Sequence, residues 1–431
     1  LHKHNRPLNA KAPQKAPQHR AAHRAHATLE PETNRPPAPS GVPTLSTYKH
    51  TKGVDPQGRG RRQTGLKRVA PKTSQHLSSA SNPSVPKPYL KPIYRDVKRI
   101  KVDIAPGVET EFVDRDRALE QVVEWAEKST RWPVVIFGPE GCGKTAFLRQ
   151  AASGLRELGY DVFYLHPLDR VFAAEVDDPD VKTLFADLVR KTLEDERWGR
   201  LALAVFDLTR EILKRRRRKI AVIADDVFQA IGLDKAAAYV KGLLNMIEHP
   251  VYRYENIVVL VATSEGLSRA EIGRHRWADI MPMWNMPREG FQQLYEKLPG
   301  PKPPFEEVWR LTGGNPGMLS RLYSTGWNSS AVVTRLIREK RLTPDFVARW
   351  RSWLEKAVED PEALWSLDAP EELIKQLVER NLILYNIYER EQIFWIDQPP
   401  PERDPELGIG KNAAWQTPIH REAVKRVLDA V

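Results

Sequence analysis

A chain of 431 residues, 41% of them hydrophobic, is long enough for about two to three domains with substantial cores. Its net charge of +11 is concentrated at one end: residues 1–92 hold 17 of the 67 Lys and Arg but 3 of the 56 Asp and Glu, which leaves a nearly neutral remainder. The single cysteine, Cys142, excludes an internal disulfide framework and a Cys-based zinc site, and no apolar run approaches the roughly 18–20 residues that cross a bilayer.

Residues 1–92 carry 14 of the 35 prolines and 7 of the 11 histidines with almost no aliphatic clusters, so they cannot offset their ordering entropy by burial and are expected to be disordered. A balance of +14 in this tail suits either a basic arm on DNA or a solvated tail without a role. Lone-cysteine usage and the lack of an apolar leader point to a cytoplasmic protein with no membrane partner.

Composition changes near residue 93. Residues 108–113 read as an extended piece, Asp114 as an N-cap, and the following residues as a helix ending before Trp132-Pro133. Then comes the sharpest signal, Val134–Thr145, where four apolar strand residues lead into GPEGCGKT and so into the pattern G-x-x-x-x-G-K-[ST]. A backbone that wraps phosphates must turn its N–H groups inward, which Gly138, Gly141 and Gly143 tolerate because they lack a Cβ. Pro139, Glu140, Cys142 and Ala146 complete the cradle, Lys144 supplies a mobile cation and Thr145 a hydroxyl for Mg²⁺. The helical spacing from Ala146 sets the phosphates of ATP or ADP at a helix N-terminus.

A second strand is expected from Asp161 to Asp169, followed by helices around Val181–Leu193 and Leu201–Leu213. The run Lys214-Arg215-Arg216-Arg217-Arg218-Lys219 either complements a helix C-terminus or contacts nucleic acid. Ile220–Asp226 is an apolar strand ending in two carboxylates, 81 residues after Lys144 on counting to Asp225. Asp225 suits Mg²⁺, and Asp226 suits orienting or deprotonating the attacking water. After a helix at Asp234–Ile247, the strand beginning at Asn256 presents Thr263 and Ser264, which serve either as a γ-phosphate sensor or as helix caps. Arg269, Arg274 and Arg276 are candidates to touch phosphate in cis or across an oligomer interface.

Short helices at Pro287–Leu298 and Phe305–Leu311 precede TGGNPGMLSRLY, whose Pro316 is preset for a first helical turn. The C-terminal unit reads as helices and then two alternating strands, Leu382–Tyr388 and Gln392–Ile396, flanking Glu389-Arg390-Glu391 in a hairpin, with a last helix at Ile419–Ala430. A hairpin after a helix is winged-helix-like and serves either DNA or a protein partner; acidic Glu389 and Glu391 at its tip argue against phosphate contact.

The order FVDRDRAL, GPEGCGKT, IAVIADDV, VATSEG, GGNPGML resembles the archaeal ATPase family within the STAND class of P-loop ATPases, close to AAA+. The resemblance implies an α/β, ASCE-type core with a three-layer parallel sheet at 93–288, a small helical lid at 289–342 and a winged helix at 343–431. It also implies Phe112 and Arg115 beside the adenine, Asp225 and Asp226 as the Walker B pair, and Pro316 in the lid element that reads nucleotide state. It points to an archaeal ATP-dependent switch, with nucleotide-dependent homo-oligomerisation, a protein partner or DNA as its output. Two departures stand out: Asp226 replaces the Glu of many AAA+ hydrolases, implying slow turnover, and Glu265 stands where some relatives have Arg.

Overall fold

In the computed structural model, residues 97–431 are described apart from 196–197, 216–217 and 264–265. The tail expected to be disordered (1–92), Ser264, Glu265 and part of the 214–219 basic run lie outside the described residues.

The chain begins with a two-stranded antiparallel ribbon, β1 (Lys101–Ala105) and β2 (Val108–Glu111), and helix α1 (Asp116–Lys128). The N-cap of α1 is Arg115 rather than the expected Asp114. Both residues turn left-handed, with φ of 60° and 57°, and Arg115 is buried. β3 (Val134–Phe137) and α2 (Lys144–Glu157) follow, then β4 (Asp161–His166), β5 (Val171–Glu175), α3 (Pro179–Asp195), α4 (Trp198–Arg215) and β6 (Lys219–Asp225). Next come α5 (Val227–Ile231), α6 (Leu233–Glu248), β7 (Asn256–Ala262), α7 (Gly266–Gly273) and β8 (Asp279–Pro282).

The strands form one six-stranded sheet in the order β5-β4-β6-β7-β3-β8. Every pairing is parallel except β4 with β5, so the expected parallel sheet carries one antiparallel edge strand. Period-2 alternation sorts the strand residues between two cores. Val134, Ile136, Ala221, Ile223, Val258 and Leu260 pack with α1 and α2. Val135, Val222, Ala224, Val259 and Val261 pack with α3 to α6 on the other face. The central strands are therefore buried on both faces, which is why they read as unbroken apolar runs.

The C-terminal half is helical: α8 (Arg288–Glu296), α9 (Phe305–Thr312), α10 (Pro316–Ser324), α11 (Ser329–Glu339), α12 (Pro344–Arg349), α13 (Arg351–Glu359) and α14 (Glu371–Glu379). A short ribbon, β9 (Ile383–Tyr385) and β10 (Ala413–Trp415), precedes α15 (Pro418–Leu428). One apolar cluster runs from Phe291 and Met318 through Leu336, Leu354 and Leu377 to Ile419 and Val424, so the segments expected as lid and C-terminal unit share a core. Among the described residues no helix is long and apolar enough to cross a membrane.

The expected hairpin is corrected by the structure. β9 pairs antiparallel with β10, and Gln392–Phe394 is a 3₁₀ turn, with Ile396 bridging to Met283 instead. The alternation at 392–396 had a different cause: Ile393 and Phe394 face solvent, while Trp395 and Ile396 enter two separate cores.

A buried ion pair fastens the last third of the chain to the first helix. Arg115 Nη1 donates to Asp397 Oδ2 at 2.8 Å with both side chains almost fully enclosed. Arg115 Nη2 donates to the carbonyls of Cys142 and Trp284, both at 2.9 Å. Gln121 holds the same segment, accepting from Asp397 N and donating to Trp395 O. Removing one partner strands a buried charge, so Asp397→Ala is expected to cost about 3–5 kcal/mol. Urea unfolding with an unchanged m-value would read this loss, and a cost under about 1 kcal/mol, typical of a surface pair, would contradict it.

Candidate nucleotide site

The C-terminal ends of the parallel strands converge where an open α/β sheet offers its binding crevice. The loop after β3 makes one wall. At Gly138 a Cβ would lie 2.0 Å from the Met283 carbonyl oxygen, so only glycine passes. Gly141 and Gly317 approach so closely that each Cβ would meet the other residue's Cα at about 3 Å, and Gly317 N–H donates to Gly141 O at 3.0 Å. Gly143 caps α2, whose free N–H groups and dipole favour an anion.

This loop is gripped from its outer side. Gln416 Oε1 accepts from Glu140 N–H at 2.9 Å, Asn315 Nδ2 donates to Glu140 O at 2.9 Å, and Lys340 Nζ pairs with Glu140 Oε2 at 2.6 Å. Asn315 also caps α10 through Met318 N–H and accompanies Pro316 at the first turn. Burial pushes the Glu140 carboxyl up, but the charge and hydrogen bond of Lys340, with Arg321 nearby, bring it below its ordinary value.

A cleft of about 660 Å³ lies beside the loop. Residues 140–146, Phe112, Arg115, Asp226 and Pro316 line it, as do Arg149, Gln229 and Ser320, which the sequence reading did not single out. Val102, Ile104, Met286 and Leu294 add apolar side chains to its lining. Gly138 and Pro139 lie behind, where their carbonyls accept from Lys144 Nζ at 3.1 and 3.0 Å.

The carboxylates come from the end of β6. Asp225 is buried, and Asp226 follows with φ 47° as the N-cap of α5. Tyr164 Oη donates to Asp225 Oδ2 at 3.1 Å, and His166 Nε2 lies 3.6 Å from the same oxygen. Burial, then the neighbouring charge of Asp226, raises the Asp225 carboxyl, while hydrogen bonding from Tyr164 pulls it back. Thr145 and two adjoining carboxylates offer the hard oxygen donors that Mg²⁺ takes, and the loop offers N–H groups to phosphate, so the residues fit a magnesium nucleotide.

Thr263 is buried directly after β7, between the loop strand and β6, and its N–H donates to Ile136 O at 2.9 Å. Arg274 and Arg276 are exposed, away from the cleft, and Arg274 pairs with Glu271 at 3.0 Å. Arg269 instead bonds the carbonyls of Tyr385 and Asn386. The strand ending YLH could have flagged Tyr164 and His166, since residues two apart at a strand end share a face.

Residues 112–322 match the model of a family described as an ATPase domain predominantly from Archaea. No curated protein matches the sequence. Among solved structures the chain is similar to a Walker-type ATPase of Pyrococcus abyssi, at 13% identity and TM-score 0.40, covering 73% of this chain and 96% of that one. It is similar to AMPPCP-bound DnaA of Aquifex aeolicus at 17% identity and TM-score 0.29, covering 60% and 74%. It is also similar to the ORC2 protein of Aeropyrum pernix at 14% identity and TM-score 0.30, covering 61% and 67%.

His420, in the first turn of α15, stands among the charges that hold Glu140. Its Nδ1 is 2.7 Å from Thr417 Oγ1 and its buried Nε2 has no hydrogen-bond partner. Burial, then Lys340 and Arg321, lower its pKa from 6.5 to about 3 against the opposing pull of Glu140. The unfolded chain takes up a proton that the folded ring refuses. Stability is therefore full above about pH 6.5 and is lost as pH falls toward 3, at up to about 1.4 kcal/mol per pH unit. His420→Gln is expected to flatten the slope between pH 6.5 and 4.5, a window above most carboxylate titration; parallel wild-type and variant slopes in urea melts would contradict this.

Proposed function

We propose that this chain, which carries a P-loop, AAA+-type ATPase domain of the predominantly archaeal family over residues 112–322, is a switch that binds ATP with Mg²⁺ and hydrolyses it slowly. Nucleotide state would be read by the lid (289–342) and the C-terminal unit (343–431), with the core at 93–288. The observation that carries the reading is Glu140: one residue of the phosphate loop is held by Asn315, Lys340 and Gln416, from three separate places in the C-terminal half. A change in loop geometry on binding phosphate must strain or release these contacts.

ATP would bring the phosphoanhydride to be split, and Mg²⁺, when bound, would neutralise charge on its oxygens. Lys144 exchanges the carbonyls of Gly138 and Pro139 for phosphate oxygens. Thr145 and Asp225 would hold the cation, and Asp226, on the cleft wall, would orient a water and accept its proton. Thr263 lies at the strand end suited to sensing phosphate. Phe112 and the apolar residues of the cleft would receive the base, Arg115 would steady the loop under it, and Pro316 would carry the lid's side of the contact. A shorter Asp in place of Glu makes the water contact less favourable, hence slow turnover. Arg274 and Arg276, exposed as they are, would act only across an interface between copies.

Mg²⁺-dependent phosphate release is expected to fall to background in Lys144→Ala and Asp225→Asn, while Asp226→Asn keeps nucleotide binding and loses turnover. Unchanged release in the first two variants would refute the assignment. A second reading, DNA contact, rests on the +14 balance of residues 1–92. It predicts an affinity that falls linearly in log–log form with salt and loses most of its slope when the tail is removed, as a gel-shift series would register.

A further inference from the structure

His166, Asp225 and Asp226 each bring a ligand-type atom within 4.8 Å of the others, a set that looks at first like a histidine-containing metal centre. Hydrogen placement argues otherwise. The backbone N–H of Asp169 donates to His166 Nδ1 at 3.0 Å, so that nitrogen must present its lone pair inward to its own loop. The ring hydrogen is then on Nε2, the atom 3.6 Å from Asp225 Oδ2. A nitrogen that carries hydrogen has no lone pair to give a metal. The same logic fixes Tyr164. Asp225 as a carboxylate can only accept, so the tyrosine hydroxyl hydrogen goes to Oδ2 at 3.1 Å. Both groups stand on β4, two residues apart on one face, and β4 is paired in register with β6 so that Leu165 lies opposite Ala224.

We propose that Tyr164 and His166 are positioning residues that hold one oxygen of Asp225, Oδ2, so that the other, Oδ1, is turned to Thr145 and the cation, and that His166 is not itself a ligand. The inference rests on the reading of Asp225 as the Mg²⁺ carboxylate. The centre is accordingly an oxygen-donor site that takes Mg²⁺ or Mn²⁺ and gains nothing from a nitrogen-seeking ion such as Zn²⁺.

The test uses the full chain and a fluorescent non-hydrolysable ATP analogue, titrated in EDTA and then against Mg²⁺, Mn²⁺ or Zn²⁺. In Tyr164→Phe, which removes only a hydroxyl, affinity in EDTA is expected to stay within about two-fold of wild type, while the half-saturating Mg²⁺ concentration rises on the order of ten-fold, as for lost outer contacts to a metal carboxylate. His166→Phe is expected to do the same, and His166→Gln, whose amide can donate near the Nε2 position, to recover most of the loss. A Mg²⁺ response in both Phe variants equal to wild type would overturn the proposal, as would Zn²⁺ binding by wild type that His166→Phe abolishes, which would make the histidine a ligand. If the wild type shows no tightening by Mg²⁺, or Asp225→Asn keeps it, the underlying assignment of Asp225 fails instead.

Discussion

Glu140 lies in the middle of a loop whose N–H groups are wanted on the inside, and the protein binds it on the outside. Its own N–H is taken by Gln416, its carbonyl by Asn315 and its carboxylate by Lys340. These contacts are short, directional and partly charged, so they fix the loop relative to α10, α11 and α15 together. The close approach of Gly141 to Gly317 sets the spacing, because any side chain at either position would push α10 off the loop. A phosphate loop that in isolation would be a flexible glycine-rich turn is thereby made one surface of a larger, packed body.

Charge burial follows the same plan. Arg115 spends its guanidinium on Asp397 and on two carbonyls, one of them in the loop itself, so the N-terminal helix, the loop and the C-terminal segment share one buried cation. His420 adds an enclosed neutral ring beside Glu140 and Lys340. A buried pair contributes little net stability when intact, but any rearrangement that separates its partners is costly. Such groups therefore favour a small number of discrete arrangements over a continuum, which is the property a two-state reader of nucleotide requires.

What the sequence disclosed was local. VVIF before the loop, IAVIAD before Asp226 and NP at the start of α10 could each be read because the residues that determine them are neighbours in the chain. The grip on Glu140 was opaque because Lys340 and Gln416 are 200 and 276 residues away and sit in segments with no motif of their own. β8, whose four residues end in proline, carried no strand pattern, and β10 is three residues long. At 392–396 the pattern misled: an apolar alternation produced by a turn between two cores looked the same as one produced by a pleated strand. Asp226 was legible as a carboxylate at a strand end but its backbone was not, since nothing in the string IADDV announces a left-handed residue.

The arginines show why composition alone does not assign roles. Arg269, Arg274 and Arg276 are close in sequence and equal in charge, yet only the first is built into the protein. Its guanidinium lies 4.4 Å from the ring centre of Phe137 and 4.8 Å from that of Tyr388, and it donates to the carbonyls of Tyr385 and Asn386. Phe137 is the last residue of β3 before the phosphate loop, and Tyr385 is the last residue of β9. Gln416, which holds the loop from the other side, directly follows β10 and donates its N–H to Leu382 O just before β9. The small β9–β10 ribbon is thus joined to the strand entering the loop by a stacked arginine and to the loop itself by an amide. A movement of the loop has to be carried by this ribbon or opposed by it, as it must be by α10 and α11, which hold the same loop through Asn315 and Lys340.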